Sequence, residues 1–128
     1  MVAPMGDSFD VVVVGAGTGG YACALRLAQL GRNVALVEKD ERLGGTCLLR
    51  GCIPTKALLQ SAAVMDSVRR ASEWGIRAEG SPDWTAIRAF EDGIVDKLVK
   101  GVTGLVKGRG IEVIRGEARV GPAGAVTV

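Results

Sequence analysis

"FDVVVVGAGTGGYACALRLAQLGRNVALVEK", residues 9–39, is the stretch that decides the fold. "FDVVVVG" reads as a buried parallel strand, a short β-branched run ending in glycine. In "TGGYACALRLAQLG" the apolar positions Ala24, Leu27, Ala28 and Leu30 fit a helix, and Gly31 fits its C-terminal cap. "NVALVEK" is a second strand. Strand, helix and strand make one βαβ unit, whose right-handed crossover gives parallel strands.

Between the first strand and the helix stands "GAGTGG", a G-x-G-x-x-G made by Gly15, Gly17 and Gly20. In that context the first glycine allows a tight turn, the second lets backbone approach a pyrophosphate, and the third lets helix pack on strand. The helix start adds free N–H groups and a positive dipole end. Glu38, at the end of the second strand, is placed to accept hydrogen bonds from ribose hydroxyls. A plain glycine turn with a surface acid is the weaker reading. NAD and FAD both use such a cradle, so these residues alone leave the dinucleotide open. Cys23, inside the helix, is expected to be a small core residue facing the sheet, with no chemistry.

Further along, "PTKALLQSAAVMDSVRRASEW" reads as a helix, with Pro54 fixing its start near Cys52 or Ile53. "EGSPD" breaks the chain. Residues 84–107 read as a second long helix with Ile87, Phe90, Ile94, Leu98 and Val102 on one stripe. Gly101 and Gly104 within it suggest close packing against another element. "GIEVIRG" is a third strand, and "EARV" and "AVTV", joined by "GPAG", form a short hairpin. The fold class is therefore α/β, with a parallel three-stranded core, long helices and a short β-hairpin.

The chain has 128 residues, enough for one domain with a core, and hydrophobic residues are 48% against 23% charged, as in a globular protein. A net charge of +2 offers no reason to propose nucleic acid or a membrane as partner. Lys97, Lys100, Lys107 and Arg109 are better read as a solvated helix face than as a basic patch. "MVAPMGDSFD" lacks the pattern of a signal peptide, and "VVVV" is too short to span a bilayer. Three cysteines without a leader suit a reducing, cytoplasmic setting. There is no His, so a four-ligand zinc site within the chain is not expected.

Cys47 and Cys52 lie in "GGTCLLRGCIPTK", residues 44–56. On a regular helix, positions five apart point about 140° from each other and their thiols could not meet. The pair therefore needs an irregular turn, for which Gly51 supplies freedom. Cys52 then falls at a helix N-terminus, which favours its thiolate, and Cys47 in the loop before it, as the more exposed sulfur. Two inert buried thiols are the alternative from spacing alone.

The same segment resembles the redox-active stretch of the pyridine nucleotide–disulfide oxidoreductases with two active-site cysteines, G-G-T-C-x-x-x-G-C-[IV]-P-x-K. Gly44, Gly45, Thr46, Cys47, Gly51, Cys52, Ile53, Pro54 and Lys56 meet its fixed positions. "CIPTKALL" is most similar to dihydrolipoyl dehydrogenases, with mercuric, mycothione and glutathione-type reductases as alternatives. The resemblance implies a Rossmann-type FAD-binding unit, with NAD used by a later domain. Gly15, Gly17 and Gly20 would cradle the FAD pyrophosphate, Glu38 would meet the adenosine ribose and Lys39 would lie beside the adenosine. Gly45 and Thr46 would touch the pyrophosphate and ribityl side. Cys52 would lie over the flavin as the charge-transfer thiolate, Cys47 would be the interchange thiol, and Lys56 would sit near the flavin N5. Ala118 or Glu117, in "RGEARV", would meet the adenine through backbone.

The implied reaction converts dihydrolipoamide and NAD⁺ to lipoamide and NADH. The implied partners are a lipoyl group on an acyltransferase subunit, or a small disulfide, and a second subunit. Residues 1–128 are expected to be a partial FAD-binding domain: the remaining FAD segments, the NAD domain, the dimerisation domain and the family's catalytic His–Glu pair have no counterpart in these residues. Alone, such a fragment is expected to be inactive. A truncated non-catalytic remnant, or a flavin-free thiol switch, is the competing class.

Overall fold

Three parallel strands form the sheet in the computed structural model, which describes residues 8–128. Residues 1–7, where the absence of a leader is read, lie outside the described residues. The strands are β1 (Val11–Val14), β2 (Val34–Glu38) and β3 (Glu112–Arg115), in spatial order β1-β2-β3. Val11 pairs with Val34, and Ala35 with Glu112. All five residues of β2 are buried, because the strand has a neighbour on each edge and helices against it. The sequence suggests equal burial for β1. Instead β1 is an edge strand of intermediate exposure, and Val14 at its end is exposed.

Helix α1 (Thr18–Gln29) returns from β1 to β2 and buries Ala24. It ends as its glycine suggests: Gly31 N–H bonds the Ala28 carbonyl and Arg32 N–H the Leu27 carbonyl, a Schellman closure. Cys23 is exposed, contrary to the core position expected for it. One residue before Ala24, it is turned about 100° away from the buried position.

A short helix, α2 (Gly45–Leu49), precedes α3 (Cys52–Arg70), and one 3₁₀ turn (Ala71–Trp74) extends α3. At that end Arg70 donates to Glu73 and lies near Asp66, and these acids hold its guanidinium above its ordinary pKa. Helix α4 (Trp84–Gly108) starts at Asp83, whose carboxylate caps it by accepting from the Thr85 and Ala86 N–H groups.

The face that α4 buries differs from the expected stripe. Glu91, Val95, Val99 and Val106 are buried, whereas Phe90 and Leu98 are exposed. The helix is turned by about one residue, so that β-branched side chains rather than the large ones meet the core. Buried Glu91 is neutralised by Arg88 at 2.7 Å. Gly101 and Gly104 do not mark close packing: a Cβ at either would meet nothing within 4 Å.

The main core joins Ala16, Ala24, Val34, Leu36, Leu43, Val106 and Ile111. A second cluster of Leu48, Val95 and Val99 meets it through Val102. The hairpin is present as β4 (Arg119–Val120) against β5 (Val126–Thr127). Lys97, Lys100, Lys107 and Arg109 are all exposed, as a solvated face requires. Among the described residues no helix is long and apolar enough to cross a membrane.

The rotation of α4 has a direct check. Leu36→Ala, in the centre of β2, should cost about 2–5 kcal/mol in urea unfolding. Leu98→Ala should cost under about 1 kcal/mol despite losing the same atoms. Equal losses would restore the stripe read from the sequence.

Candidate functional site

The loop after β1 runs through Gly15 and Gly17 into α1. Gly17 is the N-cap of α1 and makes no side-chain cap bond, so the first N–H groups of the helix stay free for a ligand. A Cβ at Gly20 would stand 1.8 Å from the Gly15 carbonyl oxygen, so the first and third glycines of the motif are in backbone contact. A Cβ at Gly15 or Gly17 would meet nothing within 4 Å. Those two glycines keep a surface clear, while Gly20 makes the packing possible.

Glu38 closes this loop from below. It is buried, and its carboxylate accepts from the Ala16 N–H at 2.6 Å and the Asp40 N–H at 2.9 Å. Beside it opens a cavity of about 250 Å³ whose lining includes Gly15, Glu38, Lys39, Glu117 and Ala118. These residues come from three separate segments of the sequence, and folding gathers them at one place. The link is β3, which leaves the sheet at Gly116, whose N–H bonds the Glu38 carbonyl at 3.1 Å. A carboxylate has about four lone-pair sites, so Glu38 can accept further bonds beside the two it holds.

The thiol segment sits on the other side of the same loop. Gly44 donates to the Ala16 carbonyl at 2.9 Å, and a Cβ at Gly45 would lie 2.6 Å from the Gly17 Cα. From this contact α2 carries Thr46, exposed, and Cys47, half-buried. Cys47 therefore lies on a short helix rather than in the expected loop. That helix stops at Leu49, where Arg50 N–H bonds the Thr46 carbonyl, and Gly51 at φ −128° and ψ −102° breaks the path. Cys52 is the first residue of α3, as the proline at position 54 requires.

Across this irregular turn Cys47 and Cys52 are disulfide-bonded, with their Cα atoms 4.7 Å apart. The order of exposure is the reverse of that expected: Cys52 is exposed and Cys47 half-buried. Cys47 belongs to a helix packed on α3 and α4, whereas in the first turn of α3 it is Ile53 and Pro54 that turn inward, leaving Cys52 exposed. Lys56 is exposed one helical turn after Cys52.

Sequence reasoning missed the polar links that hold these parts. Arg50 bonds the Asp40 carboxylate at 2.6 Å, Arg115 bonds the Asp40 carbonyl at 2.6 Å, and Arg42 pairs with Asp96 of α4 at 2.6 Å. Only the charges were visible in the sequence, since no regular spacing pairs residues across such a loop. Larger cavities, of about 380 and 420 Å³, lie between α3 and the start of α4. Their linings are mostly apolar and share no residue with the glycine loop or the thiol turn.

The family model "Pyridine nucleotide-disulphide oxidoreductase" matches residues 9–127. The chain belongs to this family. It is similar to a dihydrolipoyl dehydrogenase of Bacillus subtilis (strain 168), 47% identical over 121 residues that make 93% of this chain and 25% of the relative. A dihydrolipoyl dehydrogenase of Acholeplasma laidlawii is 41% identical over 126 residues, 97% of this chain and 37% of the relative. One of Thermus scotoductus is 46% identical over 112 residues, 88% and 24% respectively. The chain thus spans between about a quarter and somewhat over a third of the length of these curated relatives.

Two contacts of the glycine loops can be tested apart from any ligand. Gly20→Ala and Gly45→Ala should each destabilise the fold by at least about 2 kcal/mol, because the added Cβ strikes backbone. Gly19→Ala, in α1 with nothing within 4 Å, should be neutral or stabilising by up to about 1 kcal/mol. Thermal unfolding of the three variants reads this ordering.

Proposed function

We propose that this chain is the FAD-cradling and redox-active part of a dihydrolipoyl dehydrogenase-like oxidoreductase. The observation that carries the reading is the Cys47–Cys52 disulfide, seated through Gly45 directly on the G-x-G-x-x-G loop. A reducible pair and a dinucleotide cradle in backbone contact suit two-electron transfer from thiols to a bound nucleotide.

The residues fit FAD on the chain's own features. Gly15 and Gly17 leave their Cβ space open, the start of α1 offers free N–H groups, and Glu38 borders a cavity with acceptor capacity to spare. Gly15, Gly17 and Gly20 would hold the pyrophosphate, with Gly45 and Thr46 beside it. Glu38 and Lys39 would meet the adenosine, and the Ala118 backbone its base. Lys56 would put a cation on the side of Cys52. When bound, FAD supplies a two-electron carrier between the dithiol and NAD in the whole protein.

The chain's thiols do the exchange. A dihydrolipoyl thiolate attacks Sγ of Cys47; the new S–S bond forms as the Cys47–Cys52 bond breaks. Cys52 is the better leaving group, because the N-terminus of α3 favours its thiolate. The second substrate thiol, on losing its proton, displaces Cys47 and closes the lipoyl disulfide. The protein is left as a dithiol holding the two electrons. The proposed partners are a lipoyl group on an acyltransferase subunit and a second copy of the full-length chain, in the cytoplasm. In the full-length chain, residues 1–128 would be part of the FAD-binding domain.

Gly17→Ala separates cradle from fold. Its backbone suits alanine and its Cβ space is empty, so stability should stay within about 0.5 kcal/mol of the parent. FAD binding, followed by flavin fluorescence on reconstitution of the full-length protein, should weaken at least tenfold. Unchanged flavin affinity in a folded variant would refute the cradle assignment.

A further inference from the structure

Asp40 makes three hydrogen bonds to three different parts of the fold. Its N–H donates to Glu38 Oε1 at 2.9 Å, its carbonyl accepts from Arg115 Nη1 at 2.6 Å, and its carboxylate Oδ2 accepts from Arg50 Nη2 at 2.6 Å. Arg50 lies between the two cysteines, where α2 has ended and α3 has not begun. Its N–H is tied back to Thr46 and its side chain to Asp40, so the turn is anchored at its irregular point. The anchor is itself rigid, because Asp40 is fixed to β2 through Glu38 and to β3 through Arg115.

We infer that Asp40 is a positioning residue for the Cys47–Cys52 couple, acting through Arg50 to hold the turn in the shape that brings the two sulfurs together. The inference rests on reading that pair as a redox couple. Reduction breaks the S–S bond and leaves the turn free to open. A restraint that keeps the dithiol near its closed shape raises the effective concentration of one thiol for the other, and so favours the disulfide. The Asp40 and Arg50 side chains are 27% and 59% exposed, so the pair acts as a partly screened surface ion pair. Its effect is modest and sensitive to salt.

The test is the equilibrium of protein disulfide plus two glutathione thiols with protein dithiol plus glutathione disulfide. Parent, Asp40→Asn, Arg50→Gln and the double variant of the full-length protein are brought to equilibrium in glutathione mixtures. The thiols are trapped by alkylation, and those of the peptide that carries Cys47 and Cys52 are counted by mass spectrometry. Each single variant should shift the equilibrium about 1.5- to fivefold toward dithiol, the range of an exposed ion pair. The double variant should shift it no further than either single one, because both remove the same link. Raising the salt should shrink the difference between parent and variants. Should Asp40→Asn fail to fold, exposed Arg50→Gln still carries the comparison. Unmoved equilibria, or single shifts that add, would overturn the inference while leaving the redox reading intact. A parent pair that exchanges with glutathione at no ratio would overturn that reading, and the inference with it.

Discussion

The backbone of Gly45 approaches that of Gly17 so closely that a Cβ on the former would lie 2.6 Å from the Cα of the latter, and the Gly44 N–H bonds the Ala16 carbonyl beside it. Two loops that each lack side chains at the meeting point can touch through main chain alone. One comes from the first βα connection and the other leads into the thiol turn. Their contact sets where α2 begins, hence where Cys47 stands, hence where a chain broken at Gly51 can restart as α3. Main-chain contacts of this kind leave little slack, so the start of α2 is seated by backbone, and the Asp40–Arg50 pair has only the turn after it left to hold.

Glu38 supplies the polar half of the same construction. A buried carboxylate is costly unless hydrogen-bonded, and here two main-chain N–H groups, from Ala16 and Asp40, satisfy it. The bond to Ala16 ties the end of β2 to the glycine loop. The bond from Asp40 starts a chain of contacts that reaches Arg50 in the thiol turn. One acid thus borders the cavity by Lys39 and Ala118 while bracing the loop above it. The charge-assisted bonds at this point explain how an acidic residue can occupy a strand whose other four positions are apolar and buried.

The segments of the site were legible in the sequence because each depends on local rules. Glycine spacing marks a tight strand-to-helix turn, Pro54 limits where a helix can start, and thiols five residues apart exclude a regular helix between them. The three-stranded parallel core and the hairpin follow from the same local patterns. The rotation of α4 was not legible, since Phe90 and Leu98 are as apolar as the valines that displaced them from the core. Periodicity identifies a stripe on a helix, but two adjacent stripes of similar hydropathy differ only in what they meet. The exposure of Cys23 is not legible for a related reason: a small thiol suits a core or a surface, and only the orientation of α1 decides.

By itself, the sequence determined the βαβ start, the glycine turn into α1, the break between the cysteines and the helix boundary at Cys52. All of these are imposed by backbone sterics and hydrogen bonding within a few residues. Tertiary structure alone decided that β2 is the central strand, that Lys39 and Ala118 share a cavity with Glu38, and that Asp40 holds Arg50. It also decided that Cys52 rather than Cys47 is the more open of the pair. These depend on segments distant along the chain, or across an irregular loop, arriving at the same place, and no local propensity encodes which distant group arrives.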